Sequence, residues 1–158
     1  IKTLLEKNEF RKAISLLNKC CFKFMMPKSE LDETFVTPYS TDTLEKYNIE
    51  SYLNVSEIIF ENKTYLASQI PNLNNMDAFI ELLRNSKTNT IVSLIPDNDH
   101  LKNYNCISSE KIFYDNQALF FDERYDFKGY EVRIFRFVNW IDHSTITKDQ
   151  IETFYQYI

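Results

Sequence analysis

One glycine, Gly129, and four prolines stand in a chain of 158 residues that also carries 13 phenylalanines and 10 tyrosines. Disordered and linker segments are poor in aromatics and rich in glycine and proline, so this balance calls for packed sheets and helices. Gly129 alone can take φ > 0 at little cost, which places it in a tight turn ahead of the last strand. The 44% hydrophobic and 26% charged fractions are those of an ordinary globular protein with a core, and the length suits one domain spanning 1–158.

The net charge of −5 and the pI near 5.1 oppose binding to nucleic acid or to an anionic membrane surface, because both partners repel a negative field. No apolar run reaches the roughly 18 residues that a membrane span needs. The start, Ile1-Lys2-Thr3-Leu4-Leu5, is neither a signal peptide nor an initiator methionine, so a longer parent is expected. Cys20, Cys21 and Cys106 show no pairing pattern and read as reduced thiols of a cytoplasmic protein. His100 and His143 have no metal-ligand partner at useful spacing, so neither a metal nor a cofactor is expected.

Apolar residues at three- and four-residue steps from Phe10 to Cys21 predict an amphipathic helix over 1–22. Pro27 and Pro38 exclude a long helix between Met25 and Tyr47. Strands are expected over 52–60 and 64–69, joined at Glu61-Asn62-Lys63. Leu73, Met76, Phe79, Ile80 and Leu83 predict a helix with Asn74 or Asn75 as its N-cap. Thr90-Ile91-Val92-Ser93-Leu94-Ile95 reads as a strand covered on both faces. Strands at about 111–114, 117–122 and 130–138 follow, the last with a bulge where its apolar phase slips at Phe135. The carboxylates Asp122, Glu123, Asp126 and Glu131 flank Gly129 and read as a solvated hairpin end. Thr147-Lys148-Asp149-Gln150 has the spacing of a capping box, opening a helix over 147–158 whose apolar stripe is Ile151, Phe154, Tyr155 and Ile158.

Several segments together resemble the protein tyrosine phosphatases, in that family's order and over roughly residues 35–146. Val36-Thr37-Pro38-Tyr39 is similar to a Val-x-Pro-Tyr turn, Tyr52-Leu53-Asn54-Val55-Ser56 to Tyr-Ile-Asn-Ala-Ser, and Ala67-Ser68-Gln69-Ile70-Pro71 to Ala-Thr-Gln-Gly-Pro. Thr90-Ile91-Val92-Ser93-Leu94 resembles the Ile-Val-Met-Leu strand, and Trp140-Ile141-Asp142-His143 the mobile Trp-Pro-Asp-His loop. The resemblance implies an α/β fold, a mixed twisted sheet flanked by helices and incomplete at its C-terminus. It also implies a general acid at Asp142, in a loop with Trp140 and His143, and substrate-binding positions at Glu33, Phe35 and Gln69.

The departures bear on activity. Glu33 falls where the family stacks a tyrosine on the substrate ring, and a carboxylate there repels a phosphotyrosine dianion. Phe35 replaces an aspartate, Ile70 a glycine and Ile141 a proline. The family's nucleophile is a cysteine with an arginine six residues on, whose charge neutralises the phosphoryl oxygens. The residues six beyond Cys20, Cys21 and Cys106 are Met26, Pro27 and Ile112, so these 158 residues hold no such loop. An acid without a nucleophile catalyses nothing.

The resulting expectation is an inactive phosphatase-like module that acts by binding protein. The chain's edges would be covered by a protein partner, by downstream sequence of the same chain or by a second copy. Two alternatives are a fragment of an active phosphatase whose Cys-x5-Arg loop lies downstream, and a structural remnant in a larger assembly.

Overall fold

The structure, a computed structural model, describes residues 42–140 and 146–158. The helix expected over 1–22 and the Val36–Tyr39 turn lie outside the described residues, as do Glu33, Phe35, Ile141, Asp142 and His143. The described elements are α1 (Asp42–Lys46), β1 (Val55–Phe60), β2 (Lys63–Ser68), α2 (Met76–Asn85), β3 (Thr90–Ser93), a 3-10 turn (Asp99–Leu101), β4 (Asn105–Tyr114), β5 (Gln117–Asp126), β6 (Glu131–Phe137) and α3 (Lys148–Tyr157). They fall into two compact units that meet in the chain at Leu82 and Leu83.

In the first unit β1 and β2 form an antiparallel hairpin in which Val55 pairs with Ser68 and Phe60 with Lys63. The turn is two residues, Glu61 and Asn62, both left-handed at φ +48° and +62°, the geometry that matches the twist of a hairpin. Leu44, Ile49, Leu53, Val55, Ala78 and Leu82 make its core, with Leu66 and Phe79 packed against them. Helix α1 ends in a Schellman motif: Ile49 N–H bonds the Leu44 carbonyl at 2.9 Å and Asn48 N–H the Glu45 carbonyl at 3.2 Å. Asn48 supplies the left-handed residue, and the apolar contact that accompanies such motifs is the Leu44 and Ile49 pair of the core.

The second unit is a four-stranded mixed sheet in the order β3-β6-β5-β4. β3 runs parallel to β6, while β5 is antiparallel to both β6 and β4. Asp115-Asn116 and Lys128-Gly129 close the two hairpins, again with positive φ throughout. Gly129, at φ +82°, stands in the turn before the last strand as expected, and its N–H bonds Asp126 Oδ1 at 2.6 Å. The chain does not depend on glycine elsewhere. Asn48, Glu61, Asn62, Lys87, Asp115, Asn116 and Lys128 all take positive φ, four of them the Asn and Asp that tolerate it best.

α3 packs on one face of this sheet. Phe120, fully buried, meets Phe154 and Tyr157 of the helix with both ring centroids at 5.2 Å, and Phe137 of the neighbouring strand at 5.5 Å. Such ring pairs add about 0.5–1.5 kcal/mol each beyond area burial. The capping box is formed: Gln150 N–H bonds Thr147 Oγ1 at 3.2 Å and Thr147 N–H bonds Gln150 Oε1 at 2.9 Å. The protein is thus mixed α/β, and its larger sheet is mixed, with a helix on one face.

Several expectations are corrected. β6 carries no bulge against β5, where the register runs unbroken from Phe120 opposite Phe137 to Asp126 opposite Glu131. Its apolar phase slips because Val132 and Ile134 as well as Phe135 and Phe137 are buried, as befits an interior strand covered on both faces. The irregularities lie instead between β4 and β5: one in β4, where Ile107 between Cys106 and Ser108 is extra, and one in β5, where Leu119 is passed over between the partners of Ile112 and Phe113. β3 is an edge strand among the described residues, with Val92 47% exposed, rather than a strand covered on both faces. In α3 the inward residues are Phe154 and Tyr157, while Ile151, Tyr155 and Ile158 are exposed. Asn75 does stand at the N-cap position of α2, its carbonyl accepting the Phe79 N–H at 3.0 Å, but the side chain that meets the amides there is that of Asn72, whose Oδ1 accepts from the N–H groups of Asn74 and Asn75.

Candidate functional site

In the first unit the Tyr52–Ser56 segment leads into β1 and Ala67–Pro71 leaves β2, so strand pairing sets the two beside each other. Gln69 N–H donates to the Asn54 carbonyl at 2.9 Å, and Asn54 Nδ2 lies 3.4 Å from Gln69 Oε1. Gln69 is half-buried and takes part in this backbone pairing. Lys46 Nζ bonds both carboxylate oxygens of Glu57, at 2.6 and 2.7 Å, and the Tyr47 hydroxyl donates to the same group at 2.6 Å. These donors, Lys46 first, hold the Glu57 carboxyl below its ordinary range and tie α1 to β1.

In the second unit Trp140 follows β6 directly. It is half-buried, and its ring stands edge-on to Phe137 at 5.8 Å. The side chain of the preceding residue, Asn139, donates to the Ala118 carbonyl at 2.8 Å, which fixes the strand's exit against β5. The candidate acid Asp142 and His143 lie past this anchor, outside the described residues.

The carboxylates read as solvated behave differently. Glu123 and Arg136 are both buried on adjacent strands and form a forked pair, Nε to Oε2 at 3.0 Å and Nη2 to Oε1 at 2.8 Å. Arg136 Nη1 also donates to the Pro96 carbonyl at 2.7 Å, and the guanidinium lies 4.5 Å over the Phe121 ring. Asp122, on the opposite face of β5, is clamped by Arg133 at 3.0 and 2.7 Å and receives the Tyr157 hydroxyl at 2.9 Å. The Arg133 bonds, aided by Tyr157, hold its carboxyl below the ordinary range. Only the exposed Glu131, paired with Arg124 at 2.8 Å, and Asp126 at the turn fit the solvated description.

Burial, reinforced by the Glu123 charge and the Cys106 thiol, pushes the Tyr125 phenol up to about 12. Burial likewise lowers His100, so the imidazole is neutral at pH 7. Cys106 is exposed, and its Sγ lies 3.4 Å from the Ser108 carbonyl. Among the described residues no group of three His, Cys, Asp or Glu side chains could hold a metal ion. Chemically, the buried Glu123 and part-buried Asp122 carboxylates are already matched to arginines, which suits them to holding strands and loop together rather than to moving protons.

Sequence patterning could have flagged these pairs. Asp122 and Glu123 on one strand, with Arg133 and Arg136 on the next, alternate faces with the same period. What hid them was the assumption that a charge near a turn is solvated.

Neither a protein-family model nor a curated protein matches the sequence. Among the described residues no helix is long and apolar enough to cross a membrane.

Proposed function

We propose that this chain is a catalytically inactive, tyrosine-phosphatase-like module that works by binding protein. The observation that carries this reading is the way the resembling segments are built. The Asn54 and Gln69 segments are strand partners, Thr90–Ser93 runs parallel to β6, and Trp140 comes three residues after the end of β6. None of the cysteines has an arginine six residues on, which is why binding is preferred to hydrolysis.

The binding surface is the outer edge of β3. The Asn89 carbonyl accepts the Arg133 N–H, so by alternation Asn89, Ile91 and Ser93 turn their backbone groups to β6, and Thr90 and Val92 turn theirs outward. In the resembling family the corresponding strand lies mid-sheet, beside the strand that leads to the phosphate loop. A partner that supplies an extended segment would complete the ladder here.

Two measurements on the 158-residue chain test the reading. Incubation with a phosphotyrosine peptide or a small aryl phosphate should give no turnover; activity above a buffer blank, abolished by replacing one cysteine, overturns inactivity. Amide exchange on a demonstrated monomer should show Val92 fast and Ile91 and Ser93 slow. Strong protection of Val92 would mean that the edge is already satisfied and that the binding surface lies elsewhere.

A further inference from the structure

We draw no further inference here: the strongest candidate, the outward apolar face of the β1–β2 hairpin where Ile58, Phe60 and Tyr65 are exposed, carries nothing because nothing in the structure shows what covers it.

Discussion

Replacing Arg136 by Met separates a buried ion pair from a surface one. Both side chains of the pair are nearly inaccessible, at 9% for Arg136 and 4% for Glu123. Removing the guanidinium leaves the Glu123 carboxylate buried with only the Ser109 hydroxyl, 3.4 Å away, as a named donor. Breaking a buried pair from one side costs about 3–5 kcal/mol. The Pro96 carbonyl loses its 2.7 Å donor as well, about 1 kcal/mol more if water does not replace it. Against a total stability of about 5–15 kcal/mol for a domain, the loss is large. Glu123→Leu combined with Arg136→Met removes both charges, and the double variant should recover most of the loss, since an apolar pair of similar volume is often neutral or better. The assay is urea unfolding of the four members of the cycle, with a coupling of at least about 2 kcal/mol expected. A second readout is optical. Tyr125 sits at about 12 through burial first and the Glu123 charge second, so Glu123→Gln should bring its phenolate absorbance in at lower pH. A single Arg136→Met variant within about 0.5 kcal/mol of the parent would place the pair in the surface class and refute the reasoning.

Acid should unmask the Asp122 clamp. Its carboxyl is held below the ordinary value of 3.8 in the folded state, so the unfolded chain binds the proton more readily and the clamp's contribution is complete above the ordinary carboxylate pKa. It is lost as pH falls through the depressed value, so the stability gap between the parent and Asp122→Asn, measured by urea unfolding, should shrink below about pH 4; a gap that widens in acid would contradict the assignment. Left-handed positions should respond with opposite signs: Lys87→Gly, at φ +57°, should gain up to about 1 kcal/mol, and Gly129→Ala, at φ +82° with open space around the added carbon, should lose about 1–2 kcal/mol from backbone strain alone, both read as shifts in thermal midpoint. Thr147→Ala removes half of the capping box and should cost about 1 kcal/mol, with faster amide exchange in the first turn of α3.

The elements that could be read from sequence are those whose signal is local. The hairpin at Glu61-Asn62, the helix through Met76–Asn85, the Thr147 cap and the Gly129 turn rest on chemistry within a few residues. The errors share another cause, since each depends on what covers a face. β4 begins at Asn105, well before the expected strand, because its first residues are polar and exposed and so lack apolar alternation. α3 presents four apolar positions that fit a helical stripe, yet the sheet takes Phe154 and Tyr157 and leaves Tyr155 at 78% exposure. Periodicity reports that a helix has a greasy side, while the partner decides which side is used. Of the candidate site, the pairing of the Asn54 and Gln69 segments follows from the two strands and the short turn read between them. The charged pairs left a signal in the alternation of Asp122 and Glu123 against Arg133 and Arg136, but which arginine meets which carboxylate follows only from the register.

The two edges of the larger sheet differ in kind. β4 has a bulge at Ile107 and carries Glu110 and Lys111, devices that keep an exposed ladder from recruiting another chain. β3 has no bulge against β6 and no charged residue from Thr90 to Ile95, with Val92, Leu94 and Ile95 at 39–47% exposure. Its four residues span only about 13 Å. Even three or four added backbone hydrogen bonds supply about 1 kcal/mol each, below the 4–15 kcal/mol that two free molecules lose in orientational freedom on association. Strand addition at β3 alone therefore cannot hold a short free peptide. An occupant needs either a tether that raises its effective concentration, or further contacts over the apolar side chains of β3.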